Sequence, residues 1–412
     1  MTRVESWIPD EPLPFGIIAE APADHEVSQA IIAATEGRRC PGPLVGPSGW
    51  RHENALREAA RAAGVEIDRR DVAHLNVFDV QLPTVVRNGK PTKNCLDPLM
   101  TDRPTMQASV AAWIAENRAE PPAGAFATTL QTVVRQPLQR RYLAREHWHH
   151  LVRLWTEVAA LRDRGVTWFV LYGATAYWAM TGRDDFAEAK GHIQGCVIDG
   201  VRVIPTWHPA FTFHKQSALS TMADHVAKVV RNAMGGADAL GEPIVWVPET
   251  PQELRRLIAE FIADRPAVAW DAEWSIIKRD AEETDELPRP GCRDLLVVTS
   301  IQLCADGENA IVVPFSWRTG CWWRTADEQV EVMAMLHELN DSSARNVWHN
   351  GINTDAHVML SELDLLIRVD DDTLLMAHAL NPGAPKGLTD VVGTYLNGMN
   401  WKFKRKINKR DE

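Results

Sequence analysis

Residues 268–274, with the sequence VAWDAEW, constrain the fold of this chain more than any other stretch. They read as the end of an apolar β-strand that carries Asp271 and Glu273 two positions apart. Residues i and i+2 of a strand project from the same face, so we expect both carboxylates to point the same way. Neighbouring carboxylates repel each other unless a proton or cation lies between them, and hard divalent ions such as Mg²⁺ prefer oxygen ligands. The alternative interpretation is a strand whose solvent-facing side happens to be acidic.

Length and charge narrow the class of protein. A chain of 412 residues is long enough for two domains that each bury a core. The formal net charge of −11 argues against a protein that is basic throughout, such as a nucleic-acid packaging factor, and still permits a local basic groove. The richest apolar run, residues 166–180, is too short and too polar to span a bilayer, and no signal sequence opens the chain. We therefore expect a cytoplasmic protein without a membrane partner.

Strands alternate with helices in the first part of the chain. Apolar runs that read as strands lie at 15–19, 73–78, 167–172 and 201–204. Segments that read as helices lie at 52–63, at 139–164 and in a last stretch that runs to about 233. This alternation predicts an α/β domain with a mainly parallel sheet, whose ligands bind where the strands end. The glycine-rich segment 235–241 is typical of a linker.

A second α/β unit follows, organised around the acidic strand. Its other predicted strands lie at 244–247, 297–303, 310–314 and 345–350, and its predicted helices at 251–263 and 328–339. Three polar pieces then follow in order along the chain: 349–355 (HNGINTD), 370–378 (DDDTLLMAH) and 386–390 (KGLTD).

Together with residues 268–274, this ordered set resembles the 3′–5′ exonucleases of the DnaQ-like, ribonuclease H-like fold. The nearest likeness is to the proofreading domain of family A DNA polymerases of the phage type, and it spans about residues 244–400. The resemblance implies that Asp271 and Glu273 match the first exonuclease motif and Asp355 the acid of the second. These three acids would hold two Mg²⁺ or Mn²⁺ ions. Asn350 would lie near the substrate strand, and Asp372 would have a structural role.

One part of the exonuclease pattern is not found. The family's third motif, Tyr-x-x-x-Asp or His-x-x-x-Asp, should follow the basic stretch near the end, but Asp411 is preceded four residues earlier by Ile407. We therefore expect this chain by itself to bind metal more weakly and to hydrolyse slowly. Either the chain is a fragment, such as half of a split polymerase, or its exonuclease is impaired. The alternative for Asp355 alone is an acid at a helix start that stabilises the helix dipole.

The first part carries motifs of a second family. In order, they are 16–23 (GIIAEAPA), 43–49 (PLVGPSG), Asn76, Lys190 with Gly191, and 205–210 (PTWHPA). Their order resembles the uracil-DNA glycosylase superfamily, nearest to its family 4 pattern, over about residues 14–233. The resemblance implies an α/β/α sandwich that takes a base flipped out of DNA, at a cost of a few kcal/mol of unstacking.

The glycosylase resemblance implies roles for five residues. Glu20 would position water or stabilise positive charge on the sugar, His208 would donate to the uracil oxygen, and Asn76 would read the pairing edge of the base. Leu44 and Gly46 of the glycine loop would line the base, with Leu44 standing where family 4 has a stacking aromatic. Taken singly, the first three also read as a helix-start Glu, a loop His and a strand-end Asn.

The cysteines predict no cofactor. None of the six forms a Cys-x-x-Cys pair, so neither a zinc ribbon nor the four-cysteine iron–sulfur cluster of family 4 is expected. They read as reduced thiols, at 40, 95, 196, 292, 304 and 321. Two smaller signals are His147-Trp-His-His150, interpreted as a surface that contacts phosphate, and the basic tail 401–410. The tail either is a solvated end or binds single-stranded DNA through its charge and through stacking on Trp401 and Phe403.

The leading prediction is therefore a two-domain DNA-processing protein of phage-type replication, in the cytoplasm of the bacterial host. A glycosylase-like domain (1–234) and a linker (235–243) would precede a mixed-sheet exonuclease domain (244–412) incomplete at its C-terminus. The partners would be DNA with a single-stranded 3′ end, which can carry uracil, and a separate polymerase chain. Two alternatives remain. One is a non-catalytic DNA-binding subunit of a split polymerase. The other is an active uracil-DNA glycosylase that grips DNA with its second domain.

Overall fold

The computed structural model describes residues 3–36, 42–87, 89–93, 95–117, 126–235, 244–277, 295–317 and 320–396. The basic tail 401–410, Cys40, Cys292 and all but the first residue of the predicted linker 235–243 lie outside the described residues. The chain forms two compact units. The first comprises Met1–Ala239, Gly383–Pro385 and Thr389–Glu412, and the second Leu240–Pro382 and Lys386–Leu388. By their contacts, residues from Thr389 onward thus belong with the first unit.

Up to residue 235, the described part of the first unit contains nine strands and eight α-helices. The strands are β1 (Phe15–Ala19), β2 (Ala73–Asn76), β3 (Val85–Arg87), β4 (Lys90–Thr92), β5 (Met100–Thr101), β6 (Tyr142–Leu143), β7 (Trp168–Tyr172), β8 (Gln194–Gly195) and β9 (Arg202–Thr206). The helices are α1 (Asp24–Thr35), α2 (Pro47–Ala63), α3 (Arg103–Glu116), α4 (Ala127–Val134), α5 (Trp148–Asp163), α6 (Gly173–Thr181), α7 (Phe186–Ala189) and α8 (Ser217–Ala233).

The main sheet of the first unit has the strand order β2-β1-β7-β9-β8. The first four strands are parallel to their neighbours, and β8 is antiparallel to β9. Strand β1 is buried along its whole length, because its side chains alternate between two apolar clusters. Phe15 and Ile17 pack with α2 and α8, whereas Ile18 packs on the opposite face with α4, α5 and α6. The predicted α/β architecture with a mainly parallel sheet is present, and the assignment to a glycosylase-like fold stays a prediction.

The second unit contains eight strands within its described residues. They are β10 (Ile244–Trp246), β11 (Ala267–Ile277), β12 (Leu295–Cys304), β13 (Asn309–Pro314), β14 (Ser316–Trp317), β15 (Gly320–Cys321), β16 (Arg345–Trp348) and β17 (Asp371–Asp372). The helices that follow α8 along the chain are α9 (Pro251–Phe261), α10 (Ala326–Asn340), α11 (Asp355–Leu363), α12 (Thr373–Leu380) and α13 (Leu388–Tyr395). All but the last, most of which belongs with the first unit, lie in the second unit.

The sheet of the second unit is mixed, with the order β10-β13-β12-β11-β16-β17. Strand β12 is antiparallel to both β11 and β13, whereas β16 is parallel to β11 and β17 is parallel to β16. This mixed α/β arrangement is consistent with a ribonuclease H-like exonuclease domain. The apolar core joins the sheet to its helices through residues such as Val268, Ile301, Leu336 and Met359.

The predicted long helix 139–164 is shorter in the structure. The α-helix begins only at Trp148. Gln139 and Arg140 have φ angles of 52° and 69°, which a right-handed helix does not allow, and residues 142–143 form strand β6. The prediction that residues 147–150 cover a phosphate-binding surface is wrong for His150. This side chain is 4% exposed, and its Nδ1 lies 3.0 Å from Asp79 Oδ1. Among the described residues, no helix combines the length and apolar composition that crossing a membrane requires.

Helix α13 is held on the first unit by a buried lysine. The Nζ of Lys228, on α8, donates to the carbonyl oxygens of Gly191 at 2.8 Å and Gly393 at 2.9 Å. A Cβ at Gly393 would lie 2.9 Å from Nε2 of the buried His192, so only glycine allows this approach. Desolvation, with a smaller effect of the Arg231 charge, lowers the pKa of Lys228 from 10.5 to about 7.

The buried ammonium group predicts a pH-dependent stability. Between about pH 7 and pH 10 the unfolded lysine binds a proton that the folded lysine does not, so the free energy of unfolding rises with pH. Lys228→Met removes this contribution. The free energy of unfolding of wild type minus that of the variant should therefore increase with pH, by at most about 1.4 kcal/mol per pH unit. Urea unfolding at pH 7, 8, 9 and 10 measures it, with the exposed Lys215→Met as control. A difference that stays constant with pH contradicts the prediction.

Candidate active sites

Strand β11 presents the two acids predicted from its sequence on one face. Asp271 and Glu273 are exposed, while the alternating side chains of Trp270 and Ala272 are buried at 4% and 7% exposure. The register between β11 and β12 shifts directly after Glu273, which marks a β-bulge. Bulges bend a strand and re-aim its side chains, and they are frequent next to active sites.

The turn after β16 brings a third acid to this region. Asn350 adopts the left-handed backbone conformation with a φ of 63°, and its N–H donates to Asp372 Oδ1 at 3.0 Å. The same carboxylate accepts from the N–H groups of Leu374 and Leu375 and so caps α12. The chain then turns into α11, whose first residue is Asp355. Asp372 thus has the structural role that the sequence indicated.

The electrostatics of Asp355 show that the carboxylates converge. Asp355 is 9% exposed, and desolvation together with the charge of Asp271 raises its pKa from 3.8 to about 6. Smaller contributions in the same direction come from Glu273 and Asp372. The negative charges of three further acids, on β11 and at the end of β17, therefore reach Asp355.

The oxygen donors and the negative charge of this cluster suit a divalent cation. Carboxylate oxygens are the ligands that Mg²⁺ and Mn²⁺ prefer, and a raised carboxyl pKa is expected where like charges share a site without a cation. Within the described residues, no group of three His, Cys, Asp or Glu side chains is already arranged to hold an ion. Binding would therefore require the acids to move closer, with Asp271, Glu273 and Asp355 as the ligands.

A second candidate site lies at one edge of the parallel sheet in the first unit. Glu20 directly follows β1, Asn76 ends β2, and His208 lies two residues beyond β9. These strands are connected through parallel pairings, so their carboxyl ends lie at the same edge of the sheet. The structure therefore brings these three predicted residues to the same edge.

Glu20 is held by a contact that sequence reasoning missed. The hydroxyl of Thr175, on α6, donates to Glu20 Oε2. Desolvation raises the pKa of Glu20, and this hydrogen bond partly opposes the rise. The only sequence signal for this contact is that Thr175 lies in the first turn of the helix after a buried strand, and this signal is weak.

The hydrogen bonds of His208 define its tautomer. Its Nδ1 accepts from the N–H of Ala210 at 3.1 Å, so the hydrogen of the neutral ring lies on Nε2. Desolvation lowers the pKa of His208 to about 4, which keeps the ring neutral at physiological pH. His208 therefore presents an N–H donor, as stabilising a developing oxyanion requires.

Asn76 carries a buried donor without a partner. The residue is 2% exposed, and its side-chain nitrogen forms no hydrogen bond within the described part of the chain. Its backbone oxygen accepts from Arg153, which also donates to the oxygen of Val77 and lies 3.7 Å from the buried Asp79. Most buried polar groups in proteins are paired, so an unpaired amide on a rigid strand indicates a position that a ligand completes.

The two glycine-loop residues occupy different environments. Leu44 is 3% exposed, has a φ of 59° and packs in the apolar cluster with Ile17 and Tyr172. Its side chain lies in the core, which is a different position from that of a stacking aromatic over a base. Gly46 caps the N-terminus of α2 and lies against His25.

A buried chain of hydrogen bonds supports this sheet edge and was not predicted. His74 Nδ1 donates to the oxygen of Val72 at 2.8 Å, so its Nε2 accepts from His52 Nε2 at 3.0 Å. His52 Nδ1 then accepts from the hydroxyl of Tyr172 at 2.8 Å. Desolvation lowers the pKa of both histidines, which keeps them neutral. The Tyr172 ring lies edge-on to His208, with 6.3 Å between centroids.

No protein-family model and no curated protein matches the chain. Solved structures that are similar to part of it include the EXD2 exonuclease domain soaked in Mg and GMP. The identity is 14%, the TM-score is 0.21, and the match covers 33% of this chain and 59% of that one. The EXD2 exonuclease domain without that soak is 16% identical over 41% of this chain and 76% of that chain, with a TM-score of 0.21. These partial likenesses carry no argument about activity, which rests on the geometry of the two sites.

The repulsion among the acids predicts an effect of neutralising Asp355. In EDTA at pH 7.5, Asp355→Asn should raise the free energy of unfolding, by up to about 3 kcal/mol, because a pKa near 6 means that ionisation destabilises the folded state. Millimolar Mn²⁺ should stabilise wild type more than this variant. Thermal unfolding measures both effects. Asp364→Asn, at an exposed end of the same helix, is the matched control and should change neither. Equal behaviour of the two variants contradicts the prediction.

Proposed function

We propose that the second unit is a 3′–5′ exonuclease that hydrolyses the terminal phosphodiester of a DNA strand with Mg²⁺ or Mn²⁺. The observation that carries this proposal is the convergence of Asp271 and Glu273 on the buried Asp355, whose pKa they raise. Such a concentration of negative charge next to a phosphate repels the substrate unless cations neutralise it. The same acids are the ones that the resemblance to proofreading exonucleases assigns to metal binding.

The chemistry needs little from the protein beyond charge and position. Hydrolysis adds water across the P–O3′ bond, and the 3′ oxygen leaves with a proton. Bound divalent ions supply a Lewis acid and lower the pKa of water. The chain supplies carboxylates from β11 and α11, held by the sheet and by the cap of α12. Asn350, whose left-handed backbone is held by Asp372, would contact the substrate strand.

The first unit supports this activity as a DNA-binding module. Glu20, Asn76 and His208 form an edge that is suited to an unpaired base, so the first unit would hold a DNA strand. The resemblance to phage-type family A polymerases favours proofreading beside a polymerase chain as the role of the whole protein.

A nuclease assay tests the exonuclease proposal. Wild type should shorten a 5′-labelled single strand from its 3′ end in Mn²⁺ or Mg²⁺, and EDTA should abolish the reaction. Asp271→Asn and Asp355→Asn should each lower the rate about 100-fold or more, because each removes charge that holds the ions.

Asp364→Asn is the control for these variants and should retain the wild-type rate. If wild type in Mn²⁺ is no faster than Asp271→Asn, the exonuclease proposal fails for this chain. A non-catalytic DNA-binding subunit is then the better description, provided that the protein still binds the strand.

A second candidate function is excision of uracil by the first unit. The unpaired Nδ2 of Asn76 and the neutral Nε2–H of His208 favour it, because uracil offers carbonyl oxygens that accept from both donors. Water would replace the base at C1′, with Glu20 positioning it or stabilising positive charge on the sugar. His208 would donate to the oxygen on which negative charge develops.

Uracil-containing DNA followed by alkali tests this second function. Strand breaks at uracil should appear with wild type in EDTA and should fall about 100-fold in His208→Ala or Glu20→Ala. His214→Ala, an exposed histidine after the same loop, is the matched control. Breaks that persist in both site variants, or that never form with wild type, would rule out excision by this pocket.

A further inference from the structure

Helices α2 and α8 flank a cleft of about 500 Å³ that the functions proposed above do not use. Three arginines of α2 line it, namely Arg51, Arg57 and Arg61, and Glu58 is the one acid among the lining residues. The opposite wall, on and just before α8, contributes uncharged groups such as Gln216 and Ser220. The cleft is therefore basic, although the whole chain has a net charge of −11.

The arginines of this cleft are largely unpaired within the described residues. Arg51 has a buried Nε without a hydrogen-bond partner, and its guanidinium lies 4.8 Å from the ring centroid of Phe213. Arg57 donates to Asn54 Oδ1 at 3.2 Å and lies 3.9 Å from Glu53 on the exposed surface, and Arg61 takes part in no ion pair within the described residues. Guanidinium groups without a carboxylate partner remain available to an external anion.

The cleft begins beside the loop that carries His208. A 3₁₀ turn, Pro209–Phe213, starts directly after His208 and packs against both α2 and α8. Phe213 ends this turn, is 49% exposed and meets Arg51 at the mouth of the cleft. A DNA strand with one base at the sheet edge next to His208 would thus continue past the exposed ring of Phe213 towards the arginines.

We propose that the cleft between α2 and α8 binds the phosphate backbone of a single DNA strand. The proposal rests on the DNA-binding role given above to the first unit, and it specifies the path of the strand. The N–H groups of an arginine guanidinium can donate two hydrogen bonds to a phosphate, and a base can stack on an exposed aromatic ring next to them. This combination favours single-stranded nucleic acid over an acidic peptide.

The dimensions fit one strand. Ten residues separate Arg51 from Arg61, which is about 15 Å along a helix. This length matches roughly four nucleotides at about 3.4 Å per stacked nucleotide. Three arginines would neutralise up to three phosphates of the strand.

Binding of a labelled oligonucleotide tests the proposal by fluorescence anisotropy of the full chain in EDTA. Arg57→Glu with Arg61→Glu should weaken binding of a single strand more than tenfold. Arg57→Gln and Arg61→Gln should each lower the slope of log K against log salt by about 0.7. Glu58→Gln should instead strengthen binding, because it removes the one acid that lines the cleft. Misfolding would weaken binding in every variant, so stronger binding by Glu58→Gln would not be explained by it.

Arg103→Glu with Arg135→Glu is the matched control, since these exposed arginines line a different cleft of the same unit. This control should bind like wild type. Unchanged affinity and salt slope in the Arg57 and Arg61 variants would overturn the proposal. A duplex bound as tightly through the same arginines would overturn it as well. Because EDTA prevents metal-dependent hydrolysis, a failed nuclease assay leaves this result unaffected, and the two proposals fail separately.

Discussion

Parallel strands end at a common edge of a sheet, and both candidate sites depend on this constraint. In the first unit it brings together Glu20, Asn76 and His208, which lie far apart along the chain. In the second unit the parallel pairing of β11, β16 and β17 brings the turn into Asp355 to the acids of β11. Apolar clusters on the sheets hold these edges, so the polar groups need not stabilise the fold themselves.

The two sites use opposite electrostatic arrangements. The second unit concentrates four acids, so that ionisation of Asp355 is costly and a divalent cation would relieve the repulsion. In the first unit, desolvation lowers the pKa of His208 and His52 and keeps both rings neutral, which provides N–H donors without positive charge. The basic cleft between α2 and α8 begins beside the loop that carries His208. If both proposals for the first unit hold, charge would attract the phosphate backbone while uncharged groups read a base.

Burial explains why several local interpretations of the sequence changed. His150 belongs to a basic segment, yet it is buried against Asp79 because α5 packs that face into the core. Leu44 stands at a position expected to line the base, but its left-handed backbone directs it into the apolar cluster. Lys228 gives no sign in the sequence that it is fully buried or that it holds α13. In each case a contact between distant parts of the chain decided the outcome.

The sequence by itself determined the main alternation of strands and helices outside residues 84–134, and the positions of the acids of β11. It could do so because apolar runs and their periodicity are local properties of the chain. The α/β class and the pairing of Asp271 with Glu273 on one face follow from those local patterns. Only the tertiary structure decided which polar groups meet, such as Asp355 with Asp271, Thr175 with Glu20, and Tyr172 with His52. These contacts arise from the packing of helices against sheets, and their energies depend on burial that no local pattern encodes.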